Sequence, residues 1–146
     1  MIPPFDAIGN LPPGVHWATW QEFVGRFGET PHRRRLLAGL KAALDSMQVA
    51  GCRTVYIDGS FVTAKQVPND FDACWDIDGV DPALLDPILL IFDHERVAQK
   101  AKYLGELFPA QFDEGGSGTT FLEFFQIDKE SGNSKGIIAI NLRSLP

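Results

Sequence analysis

Gly59-Ser60 and Asp70-Phe71-Asp72, separated by nine residues, are of the types that handle phosphate and divalent metal. In an extended strand successive side chains alternate between faces, so Asp70 and Asp72 share one face while Phe71 and Ala73 point into a core. Two carboxylates on one face can hold Mg²⁺, a hard cation that takes oxygen ligands and keeps positions open for substrate phosphates. A pair of such ions can clamp both sides of an in-line displacement. Gly59 lets backbone N–H groups approach phosphate oxygens, and Ser60 adds a hydroxyl where the chain turns toward a helix. Lys65 is the only cation between Asp58 and Asp78 and can reach a triphosphate. Asp58, Asp76 and Asp78 crowd the same stretch, which is easier to sustain beside bound cations.

The elements that must position these residues are legible in pattern. Residues 1–18 hold Pro3, Pro4, Pro12, Pro13 and Gly14, which reads as an extended N-terminal arm anchored by Ile2, Phe5 and Leu11. Thr19 followed by Glu22 is a capping box, predicting a short helix from Trp20 to Phe27 that ends at Gly28. Thr30 and Pro31 open a second helix, along which Leu36, Leu37, Leu40, Ala43, Leu44 and Met47 recur at helical spacing. Arg53–Asp58 and Asp70–Ile77 read as strands flanking the glycine-serine turn. Beyond them the expectation is a helix over 82–91 bent at Pro87, a polar helix over 93–107, and strands at 108–112, 119–127 and 136–142, the last two joined by a turn. Helices first, then strands reached both through helices and by hairpin, indicate an α+β domain spanning 1–146, with one mixed sheet and helices packed on one face.

Composition narrows the function classes. A net charge of −6 excludes general coating of nucleic acid, which depends on a Lys and Arg surplus. No signal-peptide pattern opens the chain and no segment has the length of a membrane span, so a cytoplasmic protein without membrane contact is expected. Cys52 and Cys74 read as buried thiols, the three histidines are isolated, and Trp17, Trp20 and Trp75 are expected in the core or against the arm. Gly115-Gly116-Ser117-Gly118 lacks the Lys and Ser or Thr of a phosphate loop and reads as a connector. Arg33, Arg34 and Arg35 sit in the first turn of a helix, where cations oppose the macrodipole, and are the candidate surface for an acidic protein partner.

The apolar strand, Gly59-Ser60, the spacer and Asp70-x-Asp72 together resemble the signature of the nucleotidyltransferase superfamily. The chain as a whole is similar to a family of small bacterial proteins of uncharacterised function that share Leu-Pro-Pro-Gly-x-His, here Leu11–His16, and Phe-Phe-Gln-x-Asp, here Phe124–Asp128. The superfamily resemblance implies transfer of a nucleoside monophosphate from a nucleoside triphosphate to an acceptor, with Asp70 and Asp72 on one or two Mg²⁺ ions, and Gly59 and Ser60 on the β- and γ-phosphates. It also implies a third carboxylate on a neighbouring strand, for which Glu123, between Phe121 and Phe125, is the best match. Two other roles fit the same resemblance: a catalytically inactive binding module, such as the antitoxin-like partner of a toxin, and a nucleotide sensor.

Overall fold

The computed structural model describes residues 1–116 and 118–146; Ser117, in the glycine-rich connector, lies outside the described residues. Its centre is one mixed sheet of five strands in the order β1-β5-β2-β3-β4. These are β1 (Gly14–Ala18), β2 (Thr54–Asp58), β3 (Phe71–Trp75), β4 (Gly105–Pro109) and β5 (Gly136–Asn141). The outer pairs β1·β5 and β3·β4 are parallel, and the inner pairs β5·β2 and β2·β3 are antiparallel.

One face of the sheet carries the main core. The helices α1 (Trp20–Phe27) and α2 (Pro31–Val49) begin where the capping residues predict, with Thr19 Oγ1 accepting from Glu22 N–H and Thr30 Oγ1 from Arg33 N–H, both at 3.1 Å. The periodic stripe of α2, Leu36 through Met47, is buried against Val55, Ile57, Phe71, Ala73, Ile138 and Ile140. Each such side chain contributes about 1.5–3 kcal/mol by leaving water, so this layer fixes the sheet on which the site rests. Ile2 and Phe5 pack onto it as anticipated, and the Arg26 guanidinium stacks 4.3 Å from the Phe5 ring centre.

Elsewhere the chain departs from its sequence pattern for identifiable reasons. The N-terminal arm is only in part irregular: residues 14–18 form β1, pairing in parallel with β5 along Gly14↔Gly136 to Ala18↔Ile140. Trp17 is half-exposed on that strand, whereas Trp75 is buried. The expected helix over 82–91 is a turn followed by a 3-10 turn at Pro87–Leu90, because Pro87 divides it. The helix α3 (Asp93–Tyr103), whose first turn is left-handed at His94–Arg96, stops earlier than its apolar stripe suggests. Leu104 adopts φ 66° and Gly105 starts β4, where a Cβ would lie 2.6 Å from the Phe71 ring. Buried Gln99 of α3 then covers the sheet's last strand, its Oε1 accepting from Leu107 N–H at 2.8 Å. Residues 119–127 form no long strand. They hold the short helix α4 (Phe121–Phe124), started by a second capping box between Thr120 and Glu123. Finally, β5 is no hairpin partner: Ile137-Ile138-Ala139-Ile140 is apolar toward both faces, as a central strand requires, and it is inserted between β1 and β2.

The helices therefore do not all share a face. Both α1 and α2 cover one, while α4 packs on the other through Phe121, Phe124 and Phe125, around Cys74, Phe108 and Ala110. No helix among the described residues is long and apolar enough to cross a membrane.

Candidate functional site

The second face is where the carboxylates collect. Because Val55, Ile57, Phe71, Ala73 and Leu107 point into the main core, period two sends Asp58, Asp72 and Glu106 to the opposite side. The register aligns them, with Asp58 opposite Asp72 across β2·β3 and Asp72 beside Glu106 across β3·β4. Asp70, just ahead of β3, joins the row: one carboxylate oxygen from each of Asp70, Asp72 and Glu106 lies within 4.8 Å of the others.

Crowding shows in the titration of the row. Burial, followed by repulsion from Asp70, Asp58 and Glu106, pushes the Asp72 carboxyl up to about 7. Burial and then Glu106 raise Asp70, and burial raises Asp58 to about 6 although Lys135 draws it back. Glu106 is partly compensated, with Lys100 at 3.0 Å and Arg96 at 3.4 Å. Three half-buried oxygen donors with excess negative charge are a set that suits a divalent cation such as Mg²⁺.

The glycine-serine turn meets this row directly. Gly59 has φ 81°, and a Cβ there would lie 2.4 Å from Asp72 Oδ2, so only glycine lets the turn lie against the carboxylate. Ser60 opens a 3-10 turn and lines, with Gly59, Asp58 and Asp72, a cleft of about 570 Å³. The far wall is the loop carrying Asp128, Lys129 and Lys135, and Asn10 of the N-terminal arm donates to Asp128 at 3.1 Å.

The remaining expected residues are placed otherwise. Glu123 is exposed and stands apart from the row: its Oε1 accepts from Thr120 N–H at 3.0 Å and its own N–H donates back to Thr120 Oγ1 at 3.2 Å. Those bonds hold its carboxyl below the usual range. The third acid beside the pair is Glu106. Lys65 is exposed on the Asp70 side, where its charge lowers that carboxyl slightly, but it does not line the cleft. Arg33 is 6% exposed and points inward, donating to the carbonyls of Phe27, Phe61, Thr63 and Lys65. Arg34 and Arg35 remain on the surface. Cys52 and Cys74 are buried free thiols, and burial pushes Cys52 up to about 11.

Lys129 and Lys135 are cleft cations that motif reading passed over. Lys135 Nζ lies 3.3 Å from Asp58 Oδ1, with side-chain exposures of 16% and 4%. Replacing Lys135 with Met should therefore cost about 3 kcal/mol at pH 8, where Asp58 is ionised. Asp58 has a raised folded-state value near 6, so below it the carboxyl is protonated and the ion pair is gone. The destabilisation should shrink on going to pH 5, as read by urea unfolding of both proteins at the two pH values.

The sheet and its acidic row define an α+β protein with a polar cleft opening on the sheet face away from its two principal helices. The chain belongs to a family of unknown function, DUF6932, whose profile matches residues 3–141. Neither the curated proteins nor the solved structures contain a significant match to it.

Proposed function

We propose that the protein is a Mg²⁺-dependent nucleotidyltransferase that moves a nucleoside monophosphate from a nucleoside triphosphate to an acceptor. The observation that carries this reading is the convergence of Asp70, Asp72 and Glu106 within 4.8 Å, with the Gly59-Ser60 turn lying against Asp72. The three carboxylates would hold Mg²⁺, which when bound supplies charge stabilisation to the phosphoryl group in transfer. Gly59 and Ser60 place the β- and γ-phosphates, and Lys129 and Lys135 sit across the cleft to neutralise them. The acceptor oxygen attacks the α-phosphorus as the bond to the β-phosphate oxygen breaks; its proton passes to a carboxylate of the cluster, and pyrophosphate leaves. Positioning and electrostatics account for such a reaction without a covalent enzyme intermediate.

A second reading, nucleotide binding without turnover, is favoured by one feature. Lys100 and Arg96 already pair with Glu106 and compete with a metal for it. The test is thermal unfolding with each nucleoside triphosphate, with and without Mg²⁺, on the wild type and on Asp70→Asn. Stabilisation should need both Mg²⁺ and Asp70, amounting to about 2.7 kcal/mol at a hundredfold excess over Kd. Lack of any Mg²⁺-dependent stabilisation would remove both readings, and stabilisation with no pyrophosphate release for any acceptor would leave the second.

A further inference from the structure

Beside the first cleft lies another of about 460 Å³, and Asp72, Phe125 and Lys129 are the lining residues common to both. The two chambers differ in chemistry. The first is walled by the glycine-serine turn and the lysine loop. The second is lined by Phe92, Phe108, Phe112, Phe121, Phe124 and Phe125, six of the chain's eleven phenylalanines, together with Glu106 of the acidic row. Several of these rings lie nearly parallel: Phe108 and Phe121 are 4.3 Å apart at 10°, and Phe92 is tilted 11° from Phe108. Phe112, 53% exposed, is the most accessible ring of the chamber's lining.

We propose that this phenylalanine-lined chamber is the acceptor site, and that the acceptor is a small planar molecule carrying a hydroxyl group. The proposal rests on the nucleotidyl-transfer reading and goes beyond it by naming the substrate class. In-line displacement sets the nucleophile and the leaving group on opposite sides of the phosphorus. Pyrophosphate departs on the Gly59-Ser60 side of Asp72, so the attacking oxygen comes from the other side, which is the aromatic chamber. Its size is that of a small-molecule pocket, and six phenylalanines share its lining with six charged side chains. A flat ring stacks on such walls.

Charge argues against a nucleic-acid acceptor. The chamber's acids are Asp72, Glu106, Asp113 and Glu114, and its cations are Arg96 and Lys129. Arg96 is already engaged with Glu106 and lies 5.5 Å from the Phe108 ring centre. A polynucleotide would bring its phosphates to a mouth with more acids than bases, on a chain of net charge −6. A neutral or cationic ring compound meets no such penalty.

The experiment uses tyramine, which joins an aromatic ring, a hydroxyl and an ammonium, as the acceptor probe. Its binding is measured by calorimetry on the protein saturated with Mg²⁺ and an α,β-methylene nucleoside triphosphate, with a short single-stranded oligonucleotide as competitor. We expect saturable binding, weakened at least tenfold by Phe112→Ala and less by Phe112→Leu, while affinity for the triphosphate analogue stays within twofold. Phe112 is exposed enough for both variants to fold. If the analogue binds but tyramine does not, the acceptor assignment is wrong and the nucleotide reading stands. Equal weakening of the analogue by Phe112→Ala would put the nucleotide's base in this chamber and overturn the proposal. Displacement of tyramine by the oligonucleotide at lower concentration than tyramine's own Kd would overturn it in favour of a nucleic-acid acceptor. Failure of the wild type to bind any triphosphate analogue with Mg²⁺ would instead sink the underlying transfer reading.

Discussion

Replacing Asp72 with Asn should make the metal-free protein more stable while removing Mg²⁺-dependent nucleotide binding. The two effects have one origin. Asp72 is pressed among Asp70, Asp58 and Glu106 in a half-buried row, and its folded-state value is raised from the ordinary 3.8 to about 7. Between those values the folded chain holds a proton that the unfolded chain releases, so stability falls as pH rises through that window. Asparagine removes the charge without changing the shape, and at pH 8 we expect a gain of about 2 kcal/mol, or roughly 4 to 8 °C in Tm. At pH 4.5, near the lower end of that window, the gain should fall to roughly a quarter. Mg²⁺ would offset the same repulsion in the wild type, so its stabilising effect should grow from pH 5.5 to pH 8 and be absent in the variant. Scanning calorimetry at those pH values, with and without Mg²⁺, reads both. A variant less stable than wild type at pH 8 would mean that the acidic row is not under electrostatic strain.

Arg33→Met should cost about 3–5 kcal/mol, since four carbonyls lose a buried charged donor at once. The guanidinium donates to Phe61 O at 2.7 Å, Thr63 O at 3.1 Å and Phe27 O at 3.3 Å, as well as to Lys65 O, and stacks 5.0 Å from the Phe61 ring centre. It thereby ties the start of α2 to the segment just after Gly59-Ser60. Lysine should recover little of the loss, because a single ammonium cannot reproduce a planar fork. Arg35→Glu, two positions along on the exposed side, should change stability by no more than about 0.5 kcal/mol. Urea denaturation of the three variants checks the ranking. Equal effects at Arg33 and Arg35 would contradict the buried clamp.

The comparison of these two arginines shows what the sequence could and could not disclose. Capping boxes, the α2 stripe and the period-two acids Asp70 and Asp72 are local signals, and the structure places them where those signals point. Arg33 differs from Arg35 only in the direction its side chain takes from the helix, which depends on a loop thirty residues away. Glu106 was hidden by the helical spacing of Val97, Ala101, Leu104 and Leu107, which reads as one stripe running past it. Leu104-Gly105 was the available sign that the helix ends and a strand begins. Glu123 misled in the opposite sense: Phe121-Leu122-Glu123-Phe124-Phe125 alternates like a strand, yet Thr120 and Glu123 form the same capping box that correctly started α1. The central place of β5 and the recruitment of residues 14–18 as its partner are long-range pairings that no local pattern encodes.

That placement of β5 bears on how the chain acquires its shape during synthesis. The strand that joins the two halves of the sheet is also, of its five described strands, the last to be synthesised, and it must slot between segments made some eighty and more than one hundred residues earlier. Until residue 141 emerges, β1 has no neighbour and the inner edge of β2 stays open, with its apolar side chains available to wrong partners. Such non-local closure slows folding and prolongs exposure to aggregation. A nascent or prematurely terminated chain lacking residues 136–141 would thus be a natural client for chaperones and proteases.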